Sequence, residues 1–258
     1  MVIFCGKSNN NPYYIKEADL NIKSIQELAY FIYNYAILIS NSFITKNLIL
    51  YIDNSLKLPK LASDLNEMFN KKVNLSDILI HILANSNYYS DEEITSFRKK
   101  LLKLLSLPEE DYILNAGDKL FQLKKYEKAI TQYSKIAKTN NNAMLRLAQS
   151  YAKLQFYEIA SEYFAELYKR TKSINVLKEA YFCLKLNGTV EKIRDIESRI
   201  DENLLADWEY DIVSKIIKVR KDETMKEYED IFLMGSSYIK ENIEALIKKW
   251  KGKYRYIG

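Results

Sequence analysis

Few side chains in this chain are able to do acid–base, nucleophilic or metal chemistry. It has one histidine, His81, and two cysteines, Cys5 and Cys183. His81 lies in the apolar run Leu79-Ile80-His81-Ile82-Leu83, with no Glu or Cys at ligand spacing, and reads as a satisfied core residue. Ser-His-Asp and Cys-His schemes both need a base, and His81 so placed does not supply one. The cysteines are far apart and show neither CxxC nor Cys/His spacing, so neither a disulfide framework nor a zinc site is expected. Gly6-Lys7-Ser8 has the closing residues of a phosphate-binding loop, but the first glycine of that pattern falls on Met1. The acidic runs Asp91-Glu92-Glu93 and Glu109-Glu110-Asp111 fall in first helical turns, where they complement the helix dipole. The expectation is a non-catalytic chain with no metal and no cofactor.

The elements that hold these residues follow from composition. In 258 residues there are six glycines and three prolines, about a third of ordinary usage. A sandwich, barrel or α/β fold needs turn residues far more often, so the chain reads as nearly all helical. The net charge is +5, but much of it is local. Residues 239–258 hold Lys240, Lys248, Lys249, Lys251, Lys253 and Arg255 against Glu241 and Glu244. A DNA or RNA binder normally spreads such charge over a folded face, and DNA binding is not expected. The longest apolar stretch, Ala29 to Ile39, is too short to span a bilayer, and no leader pattern opens the chain. The expected location is cytoplasmic.

Along residues 1–107 the pattern describes a helical head domain. Residues 1–22 read as irregular with short extended pieces. Ser24-Ile25-Gln26-Glu27 is a capping box opening a helix with Leu28, Phe31, Ile32, Tyr35 and Ile39 on its apolar face. Helices follow at about 43–55, 59–70 and 76–85. A second box, Ser90-Asp91-Glu92-Glu93, opens another with the stripe Ile94, Phe97, Leu101, Leu104 and Leu105.

After Pro108 the chain becomes periodic. Gly117, Ala129 and Tyr133 are followed 31 residues later by Ala148, Ala160 and Phe164. Small residues in mid-helix, followed by aromatics that fill the holes beside them, resemble the tetratricopeptide repeat. The resemblance is clear over 110–171 and weaker to about 200 through Ala180 and Ile196. There, Lys192 falls where the other repeats have Ala, and Cys183 where the second has Tyr151. A helical head followed over 108–258 by an α-solenoid of tetratricopeptide-like hairpins is the fold class expected. The head itself faintly resembles uncharacterised proteins of low-GC Gram-positive bacteria.

The resemblance implies a concave groove lined by the first helix of each repeat. It assigns the groove Asn115 and Gln122, then Arg146, Gln149 and Lys153, then Lys178, Tyr181 and Lys185. Asn115, Arg146 and Lys178 fall in register and form a row that takes an acidic or C-terminal peptide, or is only a solvated helix face. Asp118 stands where the family's carboxylate clamp has an amide, so chaperone-tail binding is not implied. Residues 239–251 place Ile239, Ile243, Leu246, Ile247 and Trp250 on one face, which reads as a closing helix that shields the last repeat. The function expected is a protein–protein adaptor. The alternative is an anionic-polymer binder, for RNA or a membrane surface, using the basic groove and tail.

Overall fold

The computed structural model describes residues 11–221 together with 243, 244 and 247. One unit runs to Asn187 and a second begins at Gly188. The fold is all-α apart from one hairpin: β1 (Tyr13–Ile15) pairs antiparallel with β2 (Leu20–Ile22), Tyr13 opposite Ile22. Strands of three residues give only a few hydrogen bonds. What holds the hairpin is burial of Ile15, Ala18 and Ile22 in the head core.

Helix α1 (Ile25–Tyr35) starts at Ser24, whose hydroxyl accepts the Glu27 amide. The Glu27 carboxylate takes the Lys23 amide rather than the Ser24 amide, so this box closes one residue further out than the sequence pattern implies. A 3₁₀ turn (Ala36–Leu38) follows. Helix α2 (Lys46–Leu50) runs into a π turn (Tyr51–Ser55), and α3 (Pro59–Asn70) uses Pro59 in its first turn, where no amide partner is lost. Helices α4 (Leu75–Asn85) and α5 (Asp91–Leu105) complete the head, and Ser90 with Glu93 forms a full capping box on α5. Leu28, Phe31 and Ile32 of α1 meet Leu65, Leu79, Ile82, Phe97 and Leu101 in one core. Leu105, expected on the α5 stripe, is instead exposed, because it falls at the stripe's outer edge in the last turn.

Beyond Pro108 the helices form repeat-like hairpins, compatible with a tetratricopeptide-like arrangement. Helix α6 (Glu109–Gln122) packs on α7 (Tyr126–Tyr133), and α8 (Asn141–Lys153) packs on α9 (Tyr157–Thr171). Helix α10 (Ile174–Asn187) folds back on α9 through a two-residue connection with Lys172 in the left-handed region. The second unit holds α11 (Val190–Glu197) and α12 (Glu202–Arg220). The 31-residue period is visible in the backbone. Lys124 and Gln155, one period apart, both have positive φ, 59° and 64°. The next amide in each turn returns to the helix before it, Lys125 to the Leu120 carbonyl and Phe156 to that of Tyr151. That is the Schellman closure, made twice in register.

The small residues of the repeat lie where helices approach. Ala129, Ala148 and Ala160 are fully buried beside Tyr133 and Phe164. At Gly117 the approach is closest: a Cβ there would stand 2.5 Å from Tyr133 Cε1 and 2.9 Å from its Cζ. The closing helix expected over 239–251 lies outside the described residues apart from Ile243, Glu244 and Ile247. Those three are helical, and Ile247 is exposed.

Gly117→Ala should therefore destabilise the chain, although alanine is the better helix former by about 1 kcal/mol. Overpacking against a fixed ring typically costs about 1–3 kcal/mol. On a Tyr133→Leu background the penalty should shrink or reverse. Urea unfolding checks this, and a Gly117→Ala chain more stable than the parent would place Tyr133 away from α6.

Candidate functional site

Helices α6 and α8 stand side by side and present the expected polar row. On α6 it holds Asn115, Asp118 and Gln122, and on α8 Arg146, Gln149 and Lys153, each set spaced three and then four residues apart. The row is tied together internally. Tyr133, buried beneath it, donates its hydroxyl to Asp118 Oδ1 at 2.7 Å. Arg146 Nε lies 3.5 Å from the same oxygen and its Nη1 donates to Gln149 Oε1 at 3.1 Å. Burial first, then the bond to Asp118, pushes the Tyr133 hydroxyl above its ordinary range, so it stays a donor. Asn115 bonds back to the Asp111 carbonyl, and Gln122 accepts from Lys119 Nζ at 3.1 Å. Lys153 is exposed, with no partner among the described residues.

On α10 the row changes character. Lys178 and Lys185 lie over the rings of Phe182 and Tyr181, at 5.5 and 5.2 Å. Tyr181, assigned by sequence to the groove, is fully buried. Its counterparts in the two earlier repeats, Gln149 and Asp118, in the register that aligns Asn115, Arg146 and Lys178, are half-buried. Helix α10 buries Val176, Leu177, Ala180, Tyr181, Cys183 and Leu184, a face wide enough to take in that position. Tyr181 is a core residue.

Sequence reasoning missed a cleft of about 540 Å³ between the head and α6. Its two walls have the same spacing. Lys100, Lys103, Leu104 and Leu107 line the α5 side, and Asn115, Asp118, Lys119 and Gln122 the α6 side, each at i, i+3, i+4 and i+7. Asn34, Ala36 and Ile37, at the end of α1 and in the 3₁₀ turn, also line it. Helices α5 and α6 are joined by three residues but do not pack along their lengths, and this leaves the space open. Lys100 Nζ donates to the Tyr33 carbonyl at 3.1 Å and sits 5.5 Å from that ring's centre. Burial, then the charge of Lys119 across the cleft, pulls the Lys100 pKa below its ordinary value. No carboxylate among the described residues lies within 4 Å of Lys100, Lys103 or Lys119.

Contacts at both ends of α6 hold the head against it. Near its start, Tyr112 donates its hydroxyl to the Ile37 carbonyl at 2.7 Å. Past its end, Lys125 meets Asp19 at 2.8 Å, and Lys128 donates to the Lys16 carbonyl. Asp19, at φ 53° in the β1–β2 turn, also accepts from Tyr14 at 2.8 Å. The Lys125 hydrogen bond, then the Tyr14 bond, holds its carboxyl below the usual range.

Among the described residues the remaining histidine and cysteine sit among structural partners, and Cys5 lies outside the described residues. His81 is half-buried rather than in the core, and lies 3.3 Å from Asp64 of α3, with Asn85 beside it. Burial pushes the Cys183 thiol up to about 12, so at neutral pH it is an uncharged core group. Among the described residues no three His, Cys, Asp or Glu side chains gather as metal ligands. No described helix is long and apolar enough to cross a membrane. Gly6-Lys7-Ser8 lies outside the described residues. No protein-family model, curated protein or solved structure matches the chain.

The depressed Asp19 pKa sets a sign for pH. Its contribution is complete above the ordinary aspartate value, about 3.9, and is lost as pH falls through the lower folded value. Asp19→Asn should melt below the parent at pH 7, and the gap should narrow as pH drops from about 5 toward 3. Melting curves across that range check this. A gap unchanged at pH 3 would mean that the Asp19 charge contributes nothing.

Proposed function

We propose that this chain is a tetratricopeptide-like adaptor of the cytoplasm, non-catalytic, that binds a segment of a partner protein along the row formed by α6, α8 and α10. The observation that supports this is the linkage of Asp118 and Arg146 between α6 and α8. It ties the two helix faces together, and Gln122, Gln149 and Lys153 stand on the same row with side-chain N–H donors that the bonds described above do not use. An extended segment lying across successive helices meets one such set per repeat. The arrangement suits a peptide better than a small substrate, since nothing in the row is an activated acid, base or nucleophile. The alternative, an RNA or membrane-surface binder, draws on the basic groove residues Arg146, Lys153, Lys178 and Lys185 and on the basic residues after 239, which lie outside the described residues.

Arg146 is committed to Asp118, so reversing its charge would set two carboxylates together and disturb the fold. A photo-crosslinking amino acid placed at Gln122 or Lys153 in cells of the native host avoids this. The expected result is one protein crosslinked from both positions and not from Ile159, which is exposed on α9. Crosslinks to RNA or lipid alone, or equal yields from Ile159, would overturn the reading.

A further inference from the structure

We infer that the cleft between the head and α6 is a second docking site, and that its occupant is an acidic peptide segment in which carboxylates alternate with aliphatic residues. This rests on the adaptor reading and extends it from the row to a pocket that the head builds.

The cleft's charge makes the case. Three ammonium groups line it, with one carboxylate, Asp118, already engaged by Tyr133 and Arg146. The Lys103 ammonium has no hydrogen-bond or ion-pair partner among the described residues. Lys100 and Lys119 each use one donor, on a backbone carbonyl and an amide oxygen, and keep two. Neither gains a countercharge from these bonds. Like charges set face to face are costly, and the depressed Lys100 pKa has that cost among its causes. A ligand carboxylate between the two walls removes the repulsion and completes charge-assisted hydrogen bonds to both.

The same lining argues against other anions. It contains no arginine, the side chain whose fork matches phosphate, and no aromatic platform on which a base would stack. It does contain Ala36, Ile37, Leu104 and Leu107, an apolar strip suited to aliphatic side chains between the carboxylates. On the α5 wall Lys100 and Lys103 lie within one helical turn, about 5.4 Å, and Lys119 stands on the α6 wall, intervals that acidic residues two apart in an extended chain, about 6.6–6.8 Å, can meet.

The test uses the full chain and a fluorescein-labelled nonapeptide of Glu, Asp and Leu. The controls are the matching peptide of Gln, Asn and Leu, and a labelled oligouridine. Fluorescence anisotropy should show the acidic peptide bound at least tenfold tighter than the neutral one. Lys103→Glu with Lys119→Glu should weaken it by about a hundredfold, each lost charge-assisted contact accounting for about tenfold. Lys153→Glu, on the row, should change it less than about twofold, a difference under about 0.4 kcal/mol. Lys100 is left intact because it packs on Tyr33, and circular dichroism confirms that the variants are folded. Equal binding of acidic and neutral peptides overturns the proposal, as does oligouridine bound more tightly through the same lysines. If Lys153→Glu abolishes binding and the cleft variant does not, the cleft proposal falls and the row stands. The adaptor reading itself falls only with the crosslinking result.

Discussion

The contact between the Tyr133 ring and the Gly117 backbone sets the geometry on which the repeat region depends. The ring occupies the volume that any side chain at 117 would take. Helices α6 and α7 can therefore approach until one helix's backbone touches the other's aromatic face. That approach carries the Tyr133 hydroxyl under α6, where it meets Asp118. Asp118, held from below, is then presented to Arg146 of the next hairpin. One missing Cβ thus fixes the distance within a hairpin, the direction of a carboxylate and the link to the following repeat. In the second hairpin the same site is Ala148, packed in a core with Phe164, which has no hydroxyl to offer. The polar linkage is accordingly made once and not propagated.

Much of the fold was legible in the sequence because the signals were local. Ser90 and Glu93, Pro59, and the 3.6-residue stripes each act within a turn or two and predict helix limits to within a few residues. The 31-residue period was legible as well, since every copy repeats the same close approach. The failures share a different cause. Tyr181 stands in register with half-buried equivalents, yet whether that edge of α10 is buried depends on how wide a face the helix covers. Glu27 caps Lys23 rather than Ser24 because a flexible carboxylate selects between two adjacent amides. His81 looked buried from its apolar neighbours, but lies at the edge where α4 meets Asp64 of α3.

The cleft shows the limit of pattern reading most clearly. Lysines at 100, 103 and 119 lie on two amphipathic helices, and their spacing alone does not distinguish them from solvated charges. Both stripes, 100-103-104-107 and 115-118-119-122, are present in the sequence with identical spacing across Pro108. Nothing local states that the two stripes face each other across a gap. That follows from Tyr112 reaching the Ile37 carbonyl and Lys125 reaching Asp19, contacts between residues 75 and 106 positions apart. Asn115 and Gln122 were selected as groove residues for their register, and both also line the cleft.

Attachment of the head gives the array of hairpins a direction. A tandem repeat lengthens by duplication, and a new copy is accepted only where an unoccupied helix face awaits it. On the α6 side that face is taken by the 3₁₀ turn and by the β1–β2 turn. A 31-residue copy inserted after Asn140 would meet α7 behind it and α8 ahead, each with the partner it already has. The same copy inserted before Glu109 would have to displace the head from Tyr112 and from Lys125 at once. Lengthening of such a chain is thereby kept away from the head side, and the repeat nearest the head becomes the fixed reference from which any later copy is counted.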